Sequence, residues 1–409
     1  MPDDEKLAAV RAGLPALGAG IYLNTGSVGP LPAETAAAMD EYAARELSTG
    51  RAHPADFEMF LERMAEARAG IAAVLGGDVE DIALTHSSTD ALNIAAWSIP
   101  WQPGDRALTT SHEHAGGLGP LIAVRDRFGV GLDIAEIGDG GDADGAVAAI
   151  ERALTPETRL ILVSHVAWTT GARLPVERIA ELARSHEVKL AVDGAQAVGA
   201  VPVSIGEIGA DFYAIPGQKG LLGPEGTGAV WVSREARETA APGHAGWFSF
   251  DRIGLDGSAA FHSDARRFEA SNYHRPSVVG LARSCGWLSM YVGLPWIHAR
   301  GATLARRAAD RLAAIPGLTL ITPRSSMATL VTFRLDAWPP EAALDELGSR
   351  VFAIARTVPA LDAIRISVGF FTSEEELERF FGAVELLARH TPESLPPRPR
   401  LTILNQAPG

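Results

Sequence analysis

The stretch Ala214-Ile215-Pro216-Gly217-Gln218-Lys219-Gly220-Leu221-Leu222-Gly223-Pro224-Glu225-Gly226-Thr227-Gly228 sets one lysine among five glycines and two prolines. Lys6, Lys189 and Lys219 are the only lysines in the chain, because arginine supplies nearly all the positive charge. Lysine and arginine differ in one respect that matters here: only lysine can shed its proton near neutral pH and condense with a carbonyl. Glycines let backbone pass close to a ligand and take up positive φ. Two readings fit this window alone, a surface turn that happens to hold a lysine or a Schiff-base site.

Apolar runs flank the window on both sides, Phe212-Tyr213-Ala214-Ile215 before it and Ala229-Val230-Trp231-Val232 after it. Upstream, short continuous apolar strands near 82–85, 106–110, 132–135, 160–163 and 189–193 alternate with helical patterns near 88–99, 117–128, 144–154 and 175–185. That alternation predicts an α/β fold with a mostly parallel sheet covered on both faces. Beyond about 235 the rhythm changes. A Gly- and aromatic-rich loop (241–262) precedes helices near 277–293, 298–314, 340–356 and 374–389, with strands near 318–321, 330–333 and 364–367. These predict a smaller α+β domain. The expected division is an N-terminal segment (1–25) joining the small domain, a large domain (26–262), a small domain (263–390) and a Pro-rich tail (391–409).

With 409 residues, 47% hydrophobic and 21% charged, the chain suits one large and one smaller globular domain. Its net charge of -14 argues against nucleic acid or an anionic membrane surface as a partner. No apolar run suggests a signal or a membrane span. The lone Cys285 excludes a disulfide framework within the chain and suits a reducing compartment, so the expected location is cytoplasmic.

In a parallel α/β sheet, ligands bind at the carboxyl ends of the strands. Polar groups gather there. Ser87-Ser88-Thr89 opens a helix and offers hydroxyls and free N–H groups to a phosphate, unless Ser88 or Thr89 serves only as an N-cap. His112-Glu113-His114 follows the next strand; with no third ligand in view it is a poor metal site, and a ring stacked on a cofactor is another use. Ser164 through Gly171 and Val192-Asp193-Gly194-Ala195-Gln196 follow two more. Asp193 has no neighbouring acid to share a metal. Opposite a Schiff-base lysine, its charge suits the protonated ring nitrogen of a pyridinium cofactor. Neither a G-x-G-x-x-G after the first strand nor a G-x-x-x-x-G-K-[ST] is present.

Taken in order, these motifs resemble the class V aminotransferase family. It comprises fold-type I pyridoxal-phosphate enzymes and includes cysteine desulfurases, cystine lyases and isopenicillin N epimerases. The resemblance runs from about Tyr22 to Leu386 and also takes in Arg267-Phe268-Glu269 and Ile364-Arg365-Ile366-Ser367. It implies pyridoxal 5'-phosphate as cofactor, with Lys219 as Schiff-base and Cα proton carrier, Asp193 on the ring nitrogen and His114 on the ring face. Ser88 and Thr89 would hold the phosphate, and Gln196 would reach the ring hydroxyl. Arg365 would take the substrate α-carboxylate, with Asn24 in the turn beside it. Ser271 or Asn272 would reach the phosphate of a neighbouring subunit, which implies a homodimer with shared sites.

The departures lie at Pro216 and Gln218, where the desulfurases carry a Ser and a His toward the phosphate. Gln218 keeps hydrogen-bonding capacity. Trp168 replaces a usual Asn, with Thr169 beside it as the polar substitute. Cys285 sits in a buried helical pattern, and no cysteine lies between Arg334 and Arg365, where a desulfurase carries its nucleophile. The expected reaction is therefore β-elimination on a small sulfur-containing amino acid, with transamination or epimerisation as alternatives.

Overall fold

The computed structural model describes residues 3–270 and 272–398. Seven strands form the large sheet: β1 (Ile82–Thr85), β2 (Arg106–Thr110), β3 (Gly131–Ala135), β4 (Thr158–Ser164), β5 (Lys189–Asp193), β6 (Phe212–Pro216) and β7 (Gly228–Val232). Their order is β1-β7-β6-β5-β4-β2-β3. The pairs β3/β2, β2/β4, β4/β5 and β5/β6 are parallel, while β7 runs antiparallel to both β6 and β1. β6 and β7 therefore form a hairpin, and the lysine stretch is its connection. β1, β5, β6 and β7 are buried along their length, apart from partly exposed Lys189, because helices cover both faces and leave no solvated side.

Four further strands, β8 (Leu318–Leu320), β9 (Leu330–Leu335), β10 (Arg356–Val358) and β11 (Ala363–Ser367), make an antiparallel sheet of order β8-β9-β11-β10. The N-terminal strand Ile21–Tyr22 pairs in parallel with Ala353–Ile354, and Ile21 and Leu23 are buried in the same core as β9 and β11. Helix Arg275–Gly286 instead puts Val278, Leu281 and Cys285 into the core of the large sheet. We accordingly propose the division near Leu294, where the helix Leu294–Ala313 begins, rather than at 263.

Two expectations change. The helix read over 340–356 ends at Val351, where Phe352 takes a left-handed φ of 58°, and β10 follows. The loop 241–262 contains a hairpin, Phe250–Ile253 against Ala259–Phe261. The tail beyond 398 lies outside the described residues, as does Ser271.

Candidate active site

The carboxyl ends of β1, β2, β4 and β5 and the β6–β7 connection open on one cavity. Ser88, Thr89, His114, Asp193, Lys219 and Arg365 all line it. Ser88, His114, Asp193 and Lys219 meet there because successive parallel strands deliver their carboxyl ends to one edge, and the small sheet brings Arg365 to them.

Asp193 ends β5 beside Ser164 of β4, its register partner. Asp193 is 5% exposed, and its carboxylate accepts one backbone hydrogen bond, from Ala195 N at 2.9 Å. Burial raises its pKa, and the charge of Lys219 opposes that rise. Burial lowers the pKa of Lys219; Asp193 resists, and Arg365 and Arg356 add to the fall. Such an amine is closer to the neutral, nucleophilic form than a solvated lysine. The loop is held from the N-terminal turn: Gly29 N donates to Gln218 O at 2.7 Å. A Cβ on Gly29 would lie 2.5 Å from Lys219 O, so this approach needs glycine. His114 caps the helix Ala115–Phe128, its Nδ1 accepting from Gly116 N at 3.0 Å. Burial and then Lys219 hold it below the usual imidazole range.

The small sheet closes the other side. Arg365 on β11 is fully buried. Its Nη1 donates to Trp168 O at 2.7 Å, and its Nε and Nη2 have no partner among the described residues. Arg356 on β10 stands directly opposite it in register and donates to Ser27 Oγ at 3.3 Å. Burial and the neighbouring Arg356 push Arg365 down to about 9. A buried guanidinium with two free donors calls for an anion.

The family model described as Aminotransferase class-V matches residues 21–380. The chain is 32% identical over 392 residues to isopenicillin N epimerase of Streptomyces clavuligerus, covering 90% of this chain and 94% of that protein. It is 30% identical over 337 residues to a probable cysteine desulfurase of Mycolicibacterium paratuberculosis, 79% of this chain but 48% of that longer protein. The cystine C–S lyase C-DES, solved with its product cysteine persulfide, is similar with a TM-score of 0.85 and 25% identity, over 91% of this chain and 99% of that one. A mutant of C-DES with glycine covalently linked to the pyridoxal-phosphate cofactor gives 0.86, also at 25% identity, over 92% and 98%.

The chain belongs to the class V aminotransferase family. It is a pyridoxal-phosphate enzyme of fold type I.

The cavity of this class V aminotransferase fits that cofactor. Ser87, not Ser88 or Thr89, caps the helix Ser88–Trp97, its Oγ accepting from Asp90 N at 3.0 Å. The hydroxyls and first N–H groups of Ser88 and Thr89 stay free for a phosphate. Gln218 lines the same cavity, its Oε1 buried without a partner among the described residues, and Asp193 and Lys219 offer the acid and the amine that a pyridine aldehyde needs. Gln196 also lines the cavity, its Nε2 already donating to Gly26 O at 2.9 Å.

Three expected site residues are placed elsewhere. Thr169 does not line the cavity: its hydroxyl lies 2.6 Å from His112 Nδ1, so it cannot replace the missing Asn, and Trp168 faces the cavity instead. Asn24 spends its side chain within its own turn, accepting from Ser27 Oγ at 2.9 Å, and Gly26 and Ser27 are the turn residues that reach the site. Asn272 lies outside this chain's cavity, exposed, with its carbonyl 3.2 Å from His86 Nε2. Ser271 lies outside the described residues. Arg356 was missed because a helix was read through it; its spacing of nine from Arg365, over a hairpin-length connection, was the available signal.

Proposed function

We propose that this enzyme carries out β-elimination on a sulfur-containing amino acid bearing two carboxylates, such as cystine. The observation that carries this reading is the arginine pair. Arg365 and Arg356 stand side by side in the cavity, and neither meets a protein carboxylate among the described residues. Two like charges beside one another cost energy that two substrate anions would offset. The Arg365 fork binds the α-carboxylate and fixes the Cα–H bond near Lys219. Pyridoxal phosphate, when bound, supplies an electron sink for Cα. The Lys219 amine takes the Cα proton, and the Cβ–S bond breaks with its electron pair leaving on sulfur. With cystine and one water, the products balance as cysteine persulfide, pyruvate and ammonia.

The fate of sulfur separates this reading from a desulfurase. Cys285 is the only cysteine, is fully buried, and its thiol is pushed up to about 12 by burial. It cannot serve as a mobile thiolate acceptor, so the persulfide leaves on the product. The similarity to the cystine lyase agrees. Epimerisation is the second reading, favoured by the 32% identical epimerase and by the two nitrogen bases, Lys219 and His114, that share the cavity. The protein works as a homodimer in the cytoplasm under this proposal, with Asn272 serving the neighbouring site.

Incubating the holoenzyme with cystine and no keto acid tests the reaction. Pyruvate and ammonia in equal amounts are expected. Amino transfer that requires an acceptor overturns elimination, and inversion at Cα with solvent deuterium uptake but no pyruvate selects the epimerase reading.

A further inference from the structure

Trp168 is pinned more tightly than a loop tryptophan needs to be. Its carbonyl takes Arg365 Nη1 at 2.7 Å. The next carbonyl, of Thr169, accepts from Thr332 Oγ1 at 2.7 Å, and Thr322 Oγ1 donates to Thr170 O at 2.6 Å. Ala167 N and Gly171 N close the turn through Ala172 O and Ala167 O. The indole ring is framed as well. The His114 ring meets it edge-on at 5.4 Å, and the Arg356 guanidinium carbon lies 5.4 Å from its centroid.

Its polar atom is left unused. Trp168 Nε1 is buried and makes no hydrogen bond among the described residues, although the residue lines the active-site cavity. A buried indole N–H normally has a partner, and leaving it bare is unfavourable. In this cavity the unpaired atoms include the Arg365 Nε and Nη2 donors, with Trp168 Nε1 on the residue that anchors both arginines. Donors fixed in advance and lacking acceptors are arranged for an acceptor that arrives with the substrate.

We infer that Trp168 is a specificity-determining residue that donates its indole N–H to the second carboxylate of the substrate, the one that Arg356 neutralises. Its backbone orients the α-carboxylate fork of Arg365, while its ring carries Arg356 and its Nε1–H joins that cation on the distal anion. One residue thereby ties together the recognition of both ends of a dicarboxylic amino acid. The inference rests on the reading of Arg356 as the cation for a second carboxylate.

Calorimetry on the holoenzyme, with cofactor content checked by absorbance, tests it with two unreactive probes, suberate, whose carboxyl groups are as many atoms apart as those of cystine, and octanoate. Neither requires turnover, so the result does not depend on which reaction the enzyme catalyses. The wild type should bind suberate more tightly. Trp168→Phe keeps an aromatic ring and removes the N–H; it should weaken suberate about tenfold or more and leave octanoate within about twofold. An unchanged suberate affinity in that variant overturns the inference, and so does an equal loss for both probes, which marks a structural role. Arg356→Met is the control. If it leaves the suberate preference intact, the reading of Arg356 fails and the inference falls with it; if it removes the preference while Trp168→Phe does not, the reading stands and the inference alone fails. No preference in the wild type overturns both.

Discussion

At the scale of single residues, burial does most of the chemistry. Arg365 loses its water, keeps one backbone acceptor and holds two donors unpaired, so its geometry is fixed before substrate arrives. Arg365→Lys keeps the charge but not the planar fork. It should raise KM at least about tenfold with a smaller change in kcat, as steady-state kinetics will show. Glu113 shows the cost of the same device. Its carboxyl accepts from Thr110 Oγ1 at 2.6 Å, Ser164 N at 3.0 Å and Ser164 Oγ at 2.6 Å, yet burial raises it to about 7. Between the unfolded value of 4.5 and about 7, the folded chain holds the extra proton. Its contribution to stability is therefore full below pH 4.5 and is lost as pH rises through about 7, by roughly 3 kcal/mol. Urea unfolding at pH 5 and pH 8 should show this fall in the wild type and a smaller one in Glu113→Gln. Lys219 and Asp193 are legible as candidates in the sequence because each stands in a local stretch whose chemistry suits that residue type, whereas Arg365 enters only through the family resemblance. Thr169 was misread because a threonine hydroxyl takes whichever partner the fold brings within reach, and here that is His112 from another loop.

At the scale of elements, the helix Ser88–Trp97 divides two tasks between adjacent residues. Ser87 satisfies a helix N–H, and Ser88 and Thr89 are left to face the cavity. Ser87→Ala should cost about 1 kcal/mol of stability. Ser88→Ala with Thr89→Val should leave the melting curve of the cofactor-free protein nearly unchanged and weaken cofactor binding in an absorbance titration. Equal cofactor affinity in that double variant would remove both residues from the phosphate site. The opposite case is β10. Ala353 to Val358 continues an Ala- and Leu-rich helical pattern, and no glycine or proline marks the break. Phe352 turns the chain in a left-handed conformation that its side chain disfavours, and pairing with β11 and with the strand Ile21–Tyr22 compensates. Local propensity could not report that exchange, so Arg356 went unseen.

At the scale of the whole molecule, the single chain leaves Trp247, Ile253 and Leu255 strongly exposed around the hairpin that follows the large sheet. Trp247 stacks on Phe57 at 5.2 Å, extending an aromatic surface that suits a second copy of the chain. Light scattering should return twice the chain mass, and Trp247→Glu with Leu255→Glu should yield monomers with impaired turnover. A wild-type monomer with full turnover would refute shared sites. The sequence by itself determined the family, the cofactor and the ends of the strands where they act. Strand–helix alternation dictates a parallel sheet, and a helix start, an aspartate and a lysine in that order already contain the cofactor's chemistry. Only the tertiary structure decided which polar atoms remain free inside the cavity: Arg356 brought beside Arg365 by strand pairing, Thr169 taken by His112, and Trp168 left with an unpaired N–H. Hydrogen-bond satisfaction is a property of the packed interior, where each donor's partner is chosen by residues far away in the chain.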